Sequence, residues 1–215
     1  MELNLKDLKN RYNLNINGII HVGAHKAEEL NDYLDIGVTN IIWIEVFEHL
    51  IPFIEDRIKN NWWDSVETNQ KVFRYLVSDV DDKIENFYVS SNLESSSVLK
   101  PKKHLEKHPH IQFKEPIQMK AKTLDTIMIK EKVDVDNYNF INMDVQGAEL
   151  KVLKGAINIL HKIDYIYSEV NVSELYEGCV LIEEMDNFLK SFGFERVETD
   201  INEYDWGDAL FIKRG

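Results

Sequence analysis

Over most of its length the chain alternates short apolar runs with amphipathic segments, and this alternation most constrains its fold. The runs IIHV (19–22) and IIWI (41–44) have the length of strands, and each precedes a segment with helical spacing of apolar residues. Strands that alternate with helices form a parallel sheet covered by helices on both faces. The sequence therefore predicts an α/β fold in one domain over residues 1–215, with an N-terminal helix within 1–14.

One segment departs from this rhythm. The predicted strands are 18–23, 39–46, 71–79, 138–145 and 164–171, and the predicted helices are 1–12, 26–35, 47–60, 123–131, 147–160 and 181–192. The last two strands, 194–200 and 208–214, have no helix between them, so we expect an antiparallel hairpin. Residues 86–122 interrupt the pattern with a strand and serine-rich loop at 86–101 and an irregular stretch at 102–120. We expect this insertion to contact a substrate.

The charge and composition exclude several classes of protein. The formal net charge is −13, which repels phosphate backbones, so no nucleic-acid partner is predicted. The densest basic run, KPKKHLEKH (100–108), is interpreted as a solvated loop or short helix. No run approaches the ~20 apolar residues of a membrane helix, and the first 15 residues lack the apolar core of a signal peptide. With a single cysteine, Cys179, the composition favours a reducing, cytoplasmic setting without membrane insertion.

Polar residues follow the predicted strands, where ligands of open α/β sheets bind. Gly23-Ala24-His25 follows the first strand, and Gly23 permits a tight turn and a close approach to the backbone. Glu45 ends the second strand about 20 residues beyond that turn, where a carboxylate commonly binds a ribose diol. Ser78-Asp79, after the third strand, can hydrogen-bond an adenine edge. Glu45 can also be a solvated loop acid, and Asp79 a turn former.

Two further strand ends carry carboxylates. Asp144-Val145-Gln146-Gly147 follows the fourth strand, and Glu169-Val170-Asn171 ends the fifth. Asp144 can also cap the next helix, and Glu169 can be a structural hydrogen-bond acceptor. Polar residues at five successive strand ends nevertheless favour a binding site over separate structural roles for each residue.

Three segments are similar to a known family: IIHVGAHKAEEL with IIWIEV downstream, TLDTI, and INMDVQGAELKVLKGA. On these residues the chain resembles the FkbM family of S-adenosylmethionine-dependent methyltransferases over about residues 15–213. The last segment is close to the family's Asp-Val-Glu-Gly-Ala-Glu signature. The resemblance implies a Rossmann-like class I methyltransferase fold, with a seven-stranded, mostly parallel sheet whose last strand is antiparallel, and S-adenosylmethionine as methyl donor.

The resemblance also suggests which residues hold the cofactor. The strand ends and the family pattern together assign cofactor binding to His21, Gly23, Ala24, His25, Glu45, Val46, Ser78, Asp79, Asp144 and Val145. The family usually has Asp where His21 stands, and a second glycine near Ala27. A neutral histidine can still hydrogen-bond the methionine part of the cofactor, directly or through water. The lone glycine suffices because S-adenosylmethionine has no pyrophosphate that must press on the turn.

Members of the family typically methylate hydroxyl groups, often on sugars, so a sugar or glycan acceptor is implied. The acceptor oxygen must lie in line with the methyl group and lose its proton. Asp144 is the first candidate for this catalytic role and Glu169 the second. The residues expected to contact the acceptor are Asn92, Ser96, Ser97 and Gln146. Trp206 and Tyr204 can stack on a sugar ring or pack at the rim.

Other functions remain open from the sequence. His104, His108 and His110 resemble metal spacing, but Pro109 interrupts the helix and no further ligand completes a zinc pattern. Asp144 and Glu169 alone do not establish a magnesium site, so no metal is predicted. The alternatives are a methyltransferase with a non-sugar acceptor (a lipid, a small metabolite or a protein) and a non-catalytic binding module, which His21 favours. A dinucleotide oxidoreductase is disfavoured by the missing G-x-G-x-x-G pattern.

Overall fold

A seven-stranded sheet forms the centre of the computed structural model, which describes residues 3–61 and 67–214. The strands are β1 (Ile19–Val22), β2 (Asn40–Glu45), β3 (Asn69–Arg74), β4 (Leu76–Val77), β5 (Ile84–Phe87), β6 (Ile117–Lys122), β7 (Phe140–Met143), β8 (Tyr165–Asn171), β9 (Phe194–Ile201) and β10 (Trp206–Lys213). The helices are α1 (Leu5–Tyr12), α2 (Leu30–Asp35), α3 (Ile51–Lys59), α4 (His104–Lys107), α5 (Leu124–Lys130), α6 (Glu149–Lys154) and α7 (Ile182–Lys190). Among the described residues, no helix is long and apolar enough to cross a membrane.

The order of the main sheet is β3-β2-β1-β7-β8-β10-β9. All of its ladders are parallel except the two that β10 makes with β8 and β9. The strand runs are apolar on both faces: Ile20 and Ile42 pack in one core cluster, and Ile19 and Ile41 in another on the opposite face. This arrangement confirms the predicted fold, with helices on both faces and an antiparallel last strand.

The predicted third strand, 71–79, is divided between two sheets. β3 ends at Arg74, and β4 pairs instead with β6 in a small sheet of order β4-β6-β5. The prediction of an irregular stretch at 102–120 was wrong, because this stretch contains α4 and most of β6. β6 was missed because only one of its six residues is buried, so it lacks the alternation of a half-buried strand.

Several helices are shorter than predicted, for local reasons. The helix expected at 26–35 begins at Leu30, because His25 (φ 44°) and Ala27 (φ 55°) adopt left-handed conformations that no helix accommodates. The helix expected at 147–160 spans Glu149–Lys154, since the turn before it is left-handed at Gln146 and Gly147. The predicted cap of the 123–131 helix is confirmed: Thr123 accepts a hydrogen bond from the Thr126 amide.

The remaining helices keep their predicted places with trimmed ends. In the helix predicted at 1–12, Met1 and Glu2 lie outside the described residues, and α1 begins after the cap residue Asn4. The segment 47–60 starts with a 3₁₀ turn at Glu48–Leu50 and continues as α3. The segment 181–192 forms α7, with Leu181 at its N-terminal cap.

The turn after β1 lies directly against the end of β7. The Gly23 amide donates to the Ile44 carbonyl at 3.0 Å, and the Asp144 amide donates to the Val22 carbonyl at 3.0 Å. Gly23 has φ 86°, and a Cβ atom there would lie 1.9 Å from the Asp144 carbonyl oxygen. Only glycine therefore allows the ends of β1, β2 and β7 to meet this closely.

We expect Gly23→Ala to destabilise the protein much more than Gly37→Ala. Gly37 has a similar φ of 82° but open space around it, so its substitution costs only the left-handed strain of about 1–2 kcal/mol. At Gly23 the overlap with the Asp144 carbonyl adds roughly 1–3 kcal/mol. Chemical denaturation of both variants measures the difference, and equal losses of unfolding free energy would contradict the close approach.

Candidate functional site

Two adjoining cavities open at the edge of the sheet where β1, β2, β7 and β8 end. The first, here the apolar cavity, spans about 690 Å³ of empty space including its open mouth, and has walls of Ile44, Val46, Phe47, Val77, Phe87 and Val145. Gly23, Glu45 and Asp144 also line it. The predicted residues Val46 and Val145 thus lie together with Glu45, although they come from different strand ends.

The second cavity, here the acidic cavity, spans about 1100 Å³ of empty space including its open mouth. Its walls carry five carboxylates, from Glu28, Glu29, Glu94, Asp144 and Glu169, together with the rings of His104, Tyr176 and Trp206. Gly23, His25, Glu94 and Asp144 line both cavities, so a ligand in one abuts a ligand in the other. The predicted residues His21 and Ala24 also line the acidic cavity.

Glu45 joins the turns that follow β1 and β2. Its Oε2 accepts from the His25 amide at 2.8 Å, and its Oε1 accepts from the Phe47 amide at 2.8 Å. Burial raises the pKa of this carboxyl, and the two amide bonds counteract that shift. Each carboxylate oxygen has a second acceptor direction, so Glu45 fixes both turns and can still accept hydrogen bonds from a ligand.

His21 is buried and held in a fixed orientation. Its Nδ1 lies 3.0 Å from the Tyr33 hydroxyl, which in turn accepts from the Asn142 amide group. The Trp43 ring lies 5.2 Å away, centroid to centroid. Burial lowers the pKa of His21 to about 4, so the ring is neutral at physiological pH. His21 therefore offers the acidic cavity a neutral polar group.

His25 connects the turn after β1 to the inserted segment. Its Nδ1 lies 3.0 Å from Glu28 Oε1 and 3.7 Å from Glu94 Oε1. The hydrogen bond to Glu28 raises the pKa of His25, which favours the cation between the two acids. Glu94 belongs to the serine-rich loop, so this ion pair holds the loop over both cavities.

The side chain of Glu149 holds the turn after β7 in place. Its Oε1 accepts from the Val145 and Gly147 amides, each at 3.1 Å. Burial raises the pKa of Glu149 to about 7, and its Oε2 has no hydrogen-bond partner. A Cβ on Gly147 would lie 2.7 Å from the Cys179 Cβ. Glu149 and Gly147 thus fix a left-handed turn that presents Gln146.

Gln146 bridges the two carboxylates that the sequence singles out. Its Nε2 donates to Asp144 Oδ1 and to Glu169 Oε2, both at 2.6 Å, and its Oε1 accepts from the Tyr176 hydroxyl at 3.0 Å. Desolvation by the surrounding protein raises the pKa of both carboxyls. The negative charge of Asp144 raises the pKa of Glu169 further. These effects favour a pair that shares one proton.

The predicted acceptor residues of the serine-rich loop are distributed over three places. Asn92 lines the acidic cavity and Ser96 the apolar cavity. Ser97 is 1 % exposed and lines neither. Its hydroxyl donates to the Gln146 carbonyl at 2.8 Å, so it anchors the loop to the turn after β7. The Tyr176 hydroxyl also lies 2.9 Å from the Ser95 carbonyl, and it shares its single hydrogen between this oxygen and Gln146 Oε1 as a second anchor of the loop.

Ser78 and Asp79 lie away from both cavities. The Ser78 hydroxyl is buried and donates to Asp79 Oδ1 at 3.1 Å. The physical reason is the departure of β4 from the main sheet, which puts Val77 rather than Ser78 at the cavity wall. Tyr204 likewise lines neither cavity, whereas Trp206 lines the acidic one.

The family model described as the methyltransferase FkbM domain matches residues 21–196. The chain belongs to the FkbM methyltransferase family. The cofactor of this family is S-adenosylmethionine, so the predictions of family and cofactor are confirmed.

Individual relatives of this FkbM-family protein are distant or partial. A 2-O-methyltransferase, NoeI of Sinorhizobium fredii, is 35% identical over 98 residues, which are 46% of this chain and 40% of NoeI. The crystal structure of a methyltransferase FkbM from Methylobacillus flagellatus KT matches with a TM-score of 0.56 and 15% identity, over 91% of this chain and 43% of that chain. The magnesium protoporphyrin IX methyltransferase of Synechocystis PCC 6803, with bound S-adenosylmethionine, matches with a TM-score of 0.50 and 7% identity, over 91% and 69%. These two structures share the fold.

The FkbM-family chain also has cavity residues that the sequence did not reveal. His104 is buried, its ring centroid lies 5.3 Å from that of Tyr176, and its Nδ1 has no partner. His104 and His108 were weighed as metal ligands, yet they line the acidic cavity. In the described ranges no cluster of three or more His, Cys, Asp or Glu residues is arranged to hold a metal ion. Tyr176 lies in the loop that follows β8, which ends at Asn171, and this place near a strand end was the available signal for its position in the cavity.

Glu149 should make the unfolding free energy depend on pH. Its pKa is about 7 in the folded state and 4.5 in the unfolded chain, so its contribution is complete below pH 4.5 and is lost as the pH rises through 7. Relative to wild type, Glu149→Gln should therefore gain roughly 3 kcal/mol between pH 4.5 and pH 7.5. Urea denaturation over this range measures the change, with Glu55→Gln on the surface of α3 as a control. Parallel curves for wild type and Glu149→Gln would contradict the expectation.

Proposed function

We propose that this methyltransferase transfers the methyl group to a hydroxyl oxygen of a sugar or glycan. The observation that carries the proposal is the lining of the acidic cavity, where the Gln146 amide joins the carboxylates of Asp144 and Glu169, and where the rings of Tyr176 and Trp206 also form part of the wall. Carboxylate and amide groups hydrogen-bond the hydroxyls of a sugar, and an aromatic face packs against its C–H groups.

The donor set of the two cavities fits S-adenosylmethionine. The apolar cavity, with the spare acceptor directions of Glu45, suits an adenosine moiety whose ribose donates two hydroxyls. The acidic cavity suits the sulfonium and ammonium charges. We assign cofactor binding to Glu45, Val46 and Val145 on one side, and to His21 and the backbone of 23–25 on the other.

Asp144 is the proposed general base. S-adenosylmethionine supplies an electrophilic methyl group, and the acceptor hydroxyl must lose its proton as it attacks. Asp144 lines both cavities and is open to them, while Glu169 is 5 % exposed and has the more strongly raised pKa. We therefore assign the proton acceptor role to Asp144 and acceptor positioning to Glu169 and Gln146.

The name of NoeI supports transfer to oxygen, although the similarity covers less than half of either chain. Lipid, metabolite and protein acceptors are the competing possibilities, together with a binding module that performs no transfer. A cytoplasmic location and the absence of a nucleic-acid partner stay predictions. The buried, unpaired Cys179 is compatible with that location.

Glu45→Ala should weaken the binding of S-adenosylhomocysteine, the demethylated cofactor. The variant removes the acceptors of the proposed ribose bonds and leaves the His25 and Phe47 amides unpaired, at a cost of about 1–3 kcal/mol. Isothermal titration gives the affinity. Glu48→Ala is the matched control, because the Glu48 side chain is 77% exposed and pairs with Arg74. Equal affinity of the two variants would contradict the assignment of Glu45.

The acceptor proposal is tested with a panel of methyl glycosides, with product detected by mass spectrometry. Asp144→Asn preserves the shape of the side chain but removes the base, so it should slow transfer by about 10²–10⁴-fold. Glu55→Gln on the surface of α3 should retain the wild-type rate. An unchanged rate for Asp144→Asn would exclude this residue as the base. Cofactor binding without methylation of any glycoside would refute the sugar proposal.

A further inference from the structure

The acidic cavity has a pronounced imbalance of charge. Five carboxylates line it, and no lysine or arginine among the described residues does. The imbalance is a property of the wall itself, because these acids come from the turn after β1, the serine-rich loop and the ends of β7 and β8.

The basic run at 100–108 does not compensate this charge. Lys107 pairs with Asp205 at 3.0 Å, Lys100 pairs with Glu177 at 3.4 Å, and Lys102 pairs with Glu174. The three acidic partners lie outside the lining of the cavity. These lysines are therefore held by the outer loops, and the histidines of the same segment contribute rings rather than cations.

The cations within the cavity are too few to neutralise its acids. His25 is shared between Glu28 and Glu94. Gln146 bridges Asp144 and Glu169 through a neutral amide, so even a shared proton leaves this pair with one negative charge. The bound cofactor contributes one net positive charge, which leaves the cavity negative.

We propose that the acceptor carries no negative charge, and that the cavity wall excludes uronic acids, phosphorylated or sulfated sugars and sugar nucleotides while it admits neutral and amino sugars. This inference rests on the proposed sugar acceptor and narrows it to a chemical class. An anionic sugar would have to bring its charge among several carboxylates in a cavity whose cations, His25 and the cofactor, are already outnumbered by acids. An amino group would meet favourable charge in the same place.

A matched series of acceptors tests the proposal. Methyl glucoside, methyl glucuronide and methyl 6-amino-6-deoxyglucoside differ only at C6, and the galactose and mannose series provide the same comparison. Binding to the protein saturated with S-adenosylhomocysteine is measured by saturation-transfer NMR, and methylation by mass spectrometry. Neutral and amino members should bind at least about tenfold more tightly than the anionic member. The ratio of these affinities should decrease when the ionic strength rises from about 0.05 M to about 0.5 M, because salt screens the wall charge.

A charge-reversal variant tests whether the charge of the cavity wall, rather than the shape of the sugar, causes the discrimination against the glucuronide. The Glu94 side chain is 63% exposed at the rim, so Glu94→Lys should fold and should reduce the discrimination against the glucuronide. Glu106→Lys, an exposed position on α4 outside the cavity lining, makes the same change in net charge and should leave the discrimination unaltered.

The outcomes separate the two proposals. An anionic sugar that binds as tightly as its neutral partner overturns the charge inference and leaves the sugar acceptor standing. Equal effects of Glu94→Lys and Glu106→Lys would also overturn it, because the wall charge would then have no special role. If no member of any series binds or is methylated, the sugar acceptor itself fails and the inference fails with it.

Discussion

The close approach of two backbone segments determines the geometry of the whole site. The turn after β1 lies against the end of β7, where any side chain at Gly23 would overlap the Asp144 carbonyl. Glu45 is attached to the same turn through the His25 amide. A shift of this turn would therefore move the wall of the apolar cavity and the lining of the acidic cavity together. The site is built on contacts between strand ends, and the side chains that face a ligand depend on them.

The acids of the site are held by groups of different kinds, which explains how so many fit together. Backbone amides hold Glu45 and Glu149, an imidazole holds Glu28 and Glu94, and a side-chain amide holds Asp144 and Glu169. Neutral donors satisfy carboxylate oxygens without cancelling their charge. The cavity can therefore be well ordered and remain strongly negative, which is the combination that a cationic cofactor and an uncharged acceptor require.

Much of the fold was predictable because its central strands are apolar on both faces. Runs such as IIWI allow few other structures, and the carboxylates that follow them lie at the expected edge of the sheet. The exchange of sheets at β4 was not predictable, because Leu76 and Val77 pair with residues 121 and 122, far along the chain. Because this exchange was not visible in the sequence, Ser78 was predicted to lie in the site. The sequence also did not reveal that His104 and Tyr176 meet in the acidic cavity. Such contacts depend on the path of the insertion, which leaves no periodic pattern.

Glutamine at position 146 limits the number of groups in the site that can gain or lose a proton. The family signature has a glutamate at this position. Such a side chain would set a third carboxyl within about 2.6 Å of the oxygens of Asp144 and Glu169, and it could occupy that place only by carrying a proton. Gln146 makes the same two contacts with hydrogens that never dissociate. The bridge therefore keeps its donors at every pH at which the protein is folded, and of these three side chains only the two acids can gain or lose a proton.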